Sequence, residues 1–159
     1  MEKNGFTLIE LVVVIIILGI LAVTAAPRFI DLGSDARKSV MQSLQGSLSD
    51  AVKMSHAKAL ISNKMDSSDS FIISGKHYGL RYGYPDFVIY GDGSTSDKAL
   101  AVNSLIELDS DADITYDDSY SPAVFEYSSA PTPERCRVKY FRAASLTSPA
   151  VIETDFSGC

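Results

Sequence analysis

The 159 residues allow one modest domain in addition to a long N-terminal segment. Because the formal net charge is −6 and no block of basic residues is present, nonspecific binding to nucleic acid is excluded as a leading function. The hydrophobic fraction of 46% is raised by the N-terminal segment, yet enough apolar residues remain elsewhere to build a core.

The N-terminal segment 6–27 is almost wholly apolar and ends at Pro27. As a helix, residues 6–26 would be roughly 30 Å long, which is the thickness of a bilayer hydrocarbon core. Glu10 lies one turn inside this segment, where a carboxylate costs roughly 2.5–3.5 kcal/mol on insertion scales and usually marks a function. We therefore expect the partner of Glu10 to come from outside its own helix. The natural candidate is the positive α-amino group that cleavage of the chain after Gly5 would create at Phe6.

A secretory signal peptide or a simple signal anchor is the alternative interpretation of the same segment. Residues 22–26 offer small side chains near which a signal peptidase could cut. Two features argue against this interpretation: Glu10 stands at the start of the apolar core, and Lys3 is the only basic residue before it.

The helix is predicted to continue through 28–61, where apolar residues recur every three or four positions and form one stripe. The stripe comprises Val40, Met41, Leu44, Leu48, Ala51, Val52, Ser55 and Ala59. One helix over 6–61 is thus expected, with an apolar first half and an amphipathic second half. Gly19 is a weak point, and Pro27 brings a risk of a kink because it removes a helical hydrogen bond.

The remaining residues, 62–159, are predicted to form a β-rich globular region after a polar loop at 62–70. Short runs rich in β-branched and aromatic residues stand between turn signals, at 71–73, 87–90, 114–116, 123–127, 137–142 and 150–153. The last three are expected to form an antiparallel sheet, with Val138 and Tyr140 on one face and Lys139 on the other. Residues 100–108 are a candidate short helix. The predicted class is α+β, a long helix packed on a C-terminal antiparallel sheet.

The two cysteines, Cys136 and Cys159, are expected to pair if the N-terminal helix directs export. Such a bond would close the segment 136–159 and bracket the last predicted hairpin. In the chain-entropy model a loop of this size contributes roughly 3 kcal/mol.

Catalytic and metal sites are weakly signalled. Ser55 and His56 are sequence neighbours and would point about 100° apart on a helix, so with Asp50 they do not predict a hydrolase. Asp109, Asp111 and Asp113 resemble the opening of a calcium loop, although the glycine and the closing glutamate that such a loop needs are missing. We expect no enzyme activity, no cofactor and, with calcium as a minor alternative, no metal.

The N-terminus as a whole resembles that of type IV prepilins. The residues that carry the resemblance are Lys3-Asn4-Gly5, then Phe6-Thr7-Leu8-Ile9-Glu10, then the apolar run with Gly19 and Pro27. In that family a prepilin peptidase cuts after the glycine and N-methylates the new first residue, here Phe6. Glu10 occupies the position of the family's hallmark glutamate. Type IV pilins also close their C-terminal region with a disulfide, as Cys136 and Cys159 would.

The resemblance implies a type IV pilin fold with a leader peptide at 1–5. It also implies residence in the inner membrane as a single-pass precursor, then polymerisation with copies of itself into an extracellular fibre for attachment. The prepilin peptidase and the inner-membrane assembly machinery would be its partners. Local likeness at 25–37, 76–85 and 136–159 points to the mannose-sensitive haemagglutinin pilins of Gram-negative bacteria. The alternatives are a pseudopilin of a type II secretion system and a membrane-tethered periplasmic binding domain.

Overall fold

The computed structural model describes residues 6–86, 102–108, 112–117 and 122–159, with the side chains of 25–31 left aside. One helix, α1, runs over Leu8–Ile61, and its 54 residues continue through Gly19 and Pro27. The helix predicted over 6–61 is therefore confirmed, with its start two residues later. It ends where Asn63 adopts a left-handed φ of 54° and the Lys64 N–H donates to the Ala59 carbonyl at 2.8 Å.

The chain divides into two compact units, Met1–Ala36 and Arg37–Cys159. In the first unit the large apolar side chains that the structure places, from Phe6 to Val23, are exposed along the whole helix. Uniform apolar exposure of this kind leaves a helix surface that requires an apolar partner.

Among the residues that the structure describes, no helix combines the length and the apolar character needed to cross a membrane.

In the second unit α1 buries one face against the sheets, as the apolar stripe predicts. The buried residues repeat at three- and four-residue steps and are Met41, Leu44, Leu48, Val52, Ser55 and Ala59. Val40, which was included in the predicted stripe, is instead 42% exposed, so the buried face is narrower than the sequence pattern suggested.

The first sheet is a three-stranded antiparallel meander next to the end of the helix. Its strands are β1 (Asp69–Ile73), β2 (Lys76–Arg81) and β3 (Tyr84–Pro85), in the order β1-β2-β3. The sequence predicted β1 in part and missed β2. Both hairpins turn through two residues of positive φ, Ser74-Gly75 and Tyr82-Gly83, which suits the right-handed strand twist.

The second sheet has four antiparallel strands that follow one another in sequence and in space. They are β4 (Ile114–Asp117), β5 (Ala123–Tyr127), β6 (Arg137–Phe141) and β7 (Val151–Asp155). The predicted sheet of the last three strands is confirmed, with β7 shifted toward the C-terminus relative to the predicted 150–153. Val138 and Tyr140 are buried while Lys139 is only half-buried, as their alternation predicts.

The main core lies between α1 and the inner face of the second sheet. Tyr140, Phe125, Met41 and Leu48 are its largest buried members. Tyr140 also joins the two sheets, because its hydroxyl donates to the Pro85 carbonyl at 2.5 Å. Burial, reinforced by nearby Asp86, raises the pKa of the Tyr140 phenol well above its ordinary value, so the hydroxyl stays protonated and can donate.

A second link between the sheets is ionic. Arg142 follows β6 and lies 3.6 Å from the carboxylate of Asp86, which follows β3 and is fully buried. A 3-10 helix, Val102–Leu105, stands in the predicted helical stretch 100–108, and its first amide donates to the Asp86 carbonyl at 3.0 Å. The strand predicted at 87–90 lies outside the described residues.

Candidate functional site

The first turn of α1 is organised by Thr7 and Glu10. The Thr7 backbone N–H and hydroxyl both donate to one oxygen of the Glu10 carboxylate, at 2.9 and 2.7 Å. In return the Glu10 backbone N–H donates to the Thr7 hydroxyl oxygen at 3.3 Å. This reciprocal arrangement is a capping box, which satisfies two amide groups that the helix start would leave without partners.

The capping box fixes where the Glu10 carboxylate lies relative to the predicted new N-terminus. The carboxylate accepts from the amide that joins Thr7 to Phe6, so it is held within one residue of the Phe6 nitrogen. An α-amino group formed there by cleavage after Gly5 would be a cation close to this anion. Gly5 itself lies outside the described residues.

Sequence reasoning identified Glu10 but missed the role of Thr7. The expected partner of Glu10 was a cation from outside the helix, whereas in the single chain its hydrogen-bond donors come from Thr7. The pattern Thr7-x-x-Glu10 immediately before an apolar run is the sequence signature of a capping box and could have revealed this pair.

Gly19 is exposed in the middle of the apolar surface. A Cβ built at this position would meet nothing within 4 Å, so no contact inside the described chain accounts for the glycine. Its side is therefore open to a close approach by another helix. α1 continues through Pro27, and the kink expected there stays a prediction.

The second candidate region is the disulfide-closed segment at the C-terminus. Cys136 and Cys159 are bonded, with their Cα atoms 4.8 Å apart, as expected from the sequence. The bond brackets the hairpin of β6 and β7. The Cys159 carbonyl also accepts a hydrogen bond from the Arg37 guanidinium on α1, which joins the closed segment to the helix.

Gly158 fits the backbone next to the disulfide closely. Its N–H donates to the Arg135 carbonyl at 2.8 Å, and its carbonyl accepts from Thr132 at 3.3 Å. A Cβ on Gly158 would collide with the Thr132 carbonyl and lie 2.7 Å from the Arg135 Cβ. A residue without a side chain is thus required for this close approach.

Asp155, at the end of β7, closes the turn before Gly158. Its carboxylate accepts from the Ser157 hydroxyl at 2.6 Å and from the Ser157 N–H at 3.0 Å. These two hydrogen bonds, with a smaller contribution from the nearby cations of Arg135 and Arg137, hold the pKa of Asp155 below its ordinary value.

The residues weighed for catalysis have separate partners. Ser55 is buried on the core face of α1, and Asp50 is exposed beside Lys53 at 3.9 Å. The His56 ring stacks on Tyr84 with centroids 3.9 Å apart, and its Nδ1 lies 3.1 Å from the Gly83 carbonyl oxygen. Sequence neighbours on one helix are therefore directed to different surroundings, and they do not assemble into a catalytic set.

The minor calcium hypothesis concerns Asp109, Asp111 and Asp113. Asp109 and Asp111 lie outside the described residues. The Asp113 carboxylate accepts from the Ser129 hydroxyl at 2.7 Å, which ties the start of β4 to the turn after β5. Within the described part of the chain no group of acidic, histidine or cysteine side chains is gathered as metal ligands would be.

Comparison with known proteins places the N-terminus in a defined family. Residues 1–26 match the family described as the prokaryotic N-terminal methylation motif. The chain is also 41% identical over 64 residues to the type IV narrow pilus major component PilA5 of Thermus thermophilus. That match covers 40% of this chain and 52% of the relative, so the chain spans about half the length of the curated relative it matches. No solved structure matches significantly.

The matched segment contains the first turn described above, with Thr7 and Glu10 inside it. A single long helix followed by antiparallel sheets and closed by a C-terminal disulfide is the α+β architecture predicted from the sequence. The methylation motif over residues 1–26, the likeness to a pilus component over 64 residues and the α+β fold are all similar to those of type IV pilins.

Proposed function

We propose that this protein is a structural subunit of a type IV pilus, which polymerises through its N-terminal helix into a surface fibre. The observation that carries the proposal is the methylation motif over residues 1–26. The exposed apolar surface from Phe6 to Val23 supports it, because such a surface is stable in water only when other copies or lipid cover it.

Processing is proposed to occur between Gly5 and Phe6. A prepilin peptidase removes residues 1–5 and methylates the new Phe6 amine. Mass spectrometry of the mature N-terminus tests this step directly, and we expect a chain that begins with N-methylated Phe6. An intact Met1, or cleavage near Ala26, would contradict the pilin function.

Assembly is proposed to bury the first half of α1 in the fibre core. There the Glu10 carboxylate pairs with the Phe6 amine of a neighbouring subunit, where the attraction between charges is poorly screened. In the free subunit the carboxylate is already held beside its own Phe6 by Thr7. During the proposed assembly step, the Glu10 carboxylate therefore exchanges this contact within its own chain for a contact with the neighbouring chain.

Before assembly, the subunit is proposed to wait in the inner membrane as a single-pass precursor, from which the assembly machinery draws it into the fibre. After assembly it is extracellular. Fractionation tests both stages: the processed chain should pass from the inner-membrane fraction to the sheared surface fraction when the assembly motor is active. Processed chain that remains soluble in the periplasm would contradict the membrane stage.

The fibre is proposed to serve attachment, with the sheets of the second unit on its outside. Electron microscopy of shed fibres, labelled with an antibody against this chain, tests the fibre and separates it from a secretion pseudopilin, which forms no surface fibre at native expression. Adhesion of a deletion strain to glycan-coated and uncoated surfaces tests the attachment role. Unchanged adhesion by a strain that lacks the fibres would contradict that role.

A further inference from the structure

A cavity of about 430 Å³ lies between the end of α1 and the first sheet. Its polar lining comes from both sides and comprises Lys58, Ser62, Lys64, Ser70 and His77. Within the described chain, no carboxylate is part of this lining. The volume falls in the range of small-molecule sites, which is roughly 300–1,000 Å³. The cavity therefore has the size and the polarity of a site for one compact ligand that accepts hydrogen bonds.

Two ammonium groups are held at this cavity by contacts with the protein. The Lys58 Nζ donates to the Ile72 carbonyl at 2.8 Å and lies 5.5 Å from the centre of the Phe71 ring. The Lys64 Nζ lies 2.9 Å from the carboxylate of Asp69, whose side chain is only 14% exposed. An ammonium group has three N–H donors, so each lysine can still donate to a further acceptor. Because the protein already positions both cations, less conformational entropy is lost when a ligand binds.

The rest of the lining suits a sugar ring. The hydroxyls of Ser62 and Ser70 can each donate and accept a hydrogen bond. Phe71 and Ile72 add carbon surface, and Ile72 is 51% exposed. A sugar residue presents hydroxyl groups beside C–H groups, so it complements a lining that mixes hydroxyls with carbon surface.

The charge of the surroundings favours an acidic ligand. Residues 51–85 contain five lysine and arginine residues, two acidic residues and both histidines, in a chain whose formal net charge is −6. This part of the molecule is thus a positive region on an otherwise acidic chain, and it attracts anions. Duplex nucleic acid carries one charge for every ~1.7 Å of its length and would also extend over the acidic remainder. A polysaccharide with one carboxylate on each uronic acid residue spaces its charges more widely and can place a single carboxylate here.

We propose that this cavity binds one uronic acid residue of an acidic polysaccharide. Lys58 and Lys64 supply the positive charge that holds its carboxylate, and Ser62 and Ser70 bond to its hydroxyls. The inference deepens the proposed attachment role, on which it rests, by naming the chemical class of the ligand. The site lies wholly within the second unit and involves neither the apolar half of α1 nor the disulfide-closed segment.

The test is a calorimetric titration of the full-length chain, extracted in nonionic detergent, with oligogalacturonate. We expect saturable binding that weakens as salt is raised, because salt screens ion pairs near the surface. Fully methyl-esterified oligogalacturonate, which has no charge, should bind about tenfold more weakly or worse. Absence of saturable binding, or equal binding of the esterified probe, would overturn the proposal. Displacement of oligogalacturonate by an equal concentration of a single-stranded oligonucleotide would overturn the preference for a sugar.

Lysine variants locate the bound carboxylate. Lys58→Gln should lower the affinity about tenfold or more, whereas Lys58→Arg should retain most of it because the cation remains. Lys53→Gln is the matched control, since Lys53 is exposed on the same helix, lies 3.9 Å from Asp50 and is not part of the cavity lining. It should bind like wild type. An equal loss of affinity in Lys58→Gln and Lys53→Gln would show diffuse attraction to the positive region and would overturn the site.

A second pair of variants leaves every lysine in place. Ser62→Glu puts a carboxylate into the cavity at an exposed position and should abolish binding, while Ser67→Glu, at an exposed serine outside the lining, should not. Wild-type affinity of Ser62→Glu would overturn the site. The titration requires no fibre, so a chain that forms no fibres yet binds the probe would support the site. Adhesive fibres whose subunit does not bind the probe would overturn it while leaving the fibre function intact.

Discussion

At the scale of single residues, Glu10 has two physical roles that one substitution can separate. Its carboxylate caps the first turn of α1 through Thr7. Its negative charge would also be available to the amine that the proposed cleavage creates at Phe6. Glutamine also fits the third position of a capping box, so Glu10→Gln retains the cap and removes the charge. Alanine removes both.

We predict that Glu10→Gln leaves cleavage after Gly5 intact and strongly reduces surface fibres. The physical reason is that the core of the proposed fibre would be apolar, and the Phe6 amine without its anion would be an uncompensated charge there. Immunoblots for processed chain and counts of sheared fibres measure the two effects. Thr7→Ser, which keeps the hydroxyl, is the control and should assemble normally. Wild-type fibre counts for Glu10→Gln would show that the charge pair is dispensable.

The Asp155 carboxylate makes stability dependent on acid pH. Its pKa is lower in the folded chain than the ordinary value of 3.8, so its contribution is complete above that value and is lost as pH falls through the folded pKa. We therefore predict that Asp155→Asn lowers Tm at pH 7 and that its difference from wild type shrinks as the pH falls below 3.8. Thermal unfolding followed by circular dichroism measures this. Glu153→Gln is the control for loss of a negative charge on β7. A difference in Tm between wild type and Asp155→Asn that stays the same at low pH would show that the Asp155 carboxylate is not the source of the acid dependence.

At the scale of elements, the segment 136–159 is held at three places. The disulfide closes its ends, the β6–β7 hairpin pairs its strands, and Arg37 holds its last carbonyl on α1. The backbone around Gly158 adds two hydrogen bonds in a space that admits no side chain. The segment thus depends on close packing as well as on a covalent bond.

We predict that Cys159→Ser destabilises the second unit by about 3 kcal/mol. The reason is that the disulfide, which joins residues 23 positions apart, no longer restricts the conformations of the unfolded chain. That loss is a large share of a typical domain stability, so the steady-state amount of processed subunit and the number of fibres should both fall. The double variant Cys136→Ser/Cys159→Ser is the control for the Cys136 thiol that the single variant leaves unpaired. It should show the same loss of processed subunit and of fibres. Abundant, protease-resistant Cys159→Ser chain with normal fibres would contradict the expectation.

Two glycine substitutions should act in opposite directions. Gly158→Ala should destabilise the protein, because its Cβ meets Thr132 and Arg135 backbone and side-chain atoms that cannot all move aside. Gly46→Ala should stabilise it by about 0.5–1 kcal/mol, because Gly46 is exposed inside α1 and a Cβ there meets nothing within 4 Å. Urea unfolding of both variants measures the pair. A Gly158→Ala variant as stable as wild type would show that residues 132–135 can shift to make room for the added Cβ.

At the scale of the whole molecule, the second unit contains its own core. The buried cluster is formed by the amphipathic half of α1 and the second sheet, from Met41 to Cys159, and a smaller cluster joins Ala59 to the first sheet. The disulfide and its bond to Arg37 also lie inside this unit. We therefore expect residues 37–159 to fold by themselves.

We predict that a truncated chain of residues 37–159, exported to an oxidising compartment, is soluble, forms the Cys136–Cys159 bond and unfolds cooperatively. The full chain should need detergent, because the apolar surface from Phe6 to Val23 remains on it. Size-exclusion chromatography and thermal melts measure both properties. Aggregated or non-cooperative 37–159 would show that the first helix half contributes to the core.

Local sequence patterns by themselves determined the long helix, the buried faces of α1 and β6, and the disulfide. The apolar run, the stripe on the second half of α1 and the alternation in β6 are periodic patterns, and periodicity fixes which face of an element is buried. The two cysteines allowed a single intramolecular pairing, so the disulfide also followed from the sequence. The capping box is likewise specified by the local pattern Thr7-x-x-Glu10.

Only the tertiary structure decided how distant segments meet. β2 was missed because its burial depends on pairing with β1 and on packing against Ala59, and its own sequence shows no clean alternation. The links from Tyr140 to Pro85, from Arg142 to Asp86 and from Arg37 to Cys159 each join residues more than fifty positions apart. No local pattern specifies such contacts, because they arise only when the sheets and α1 have closed around one core.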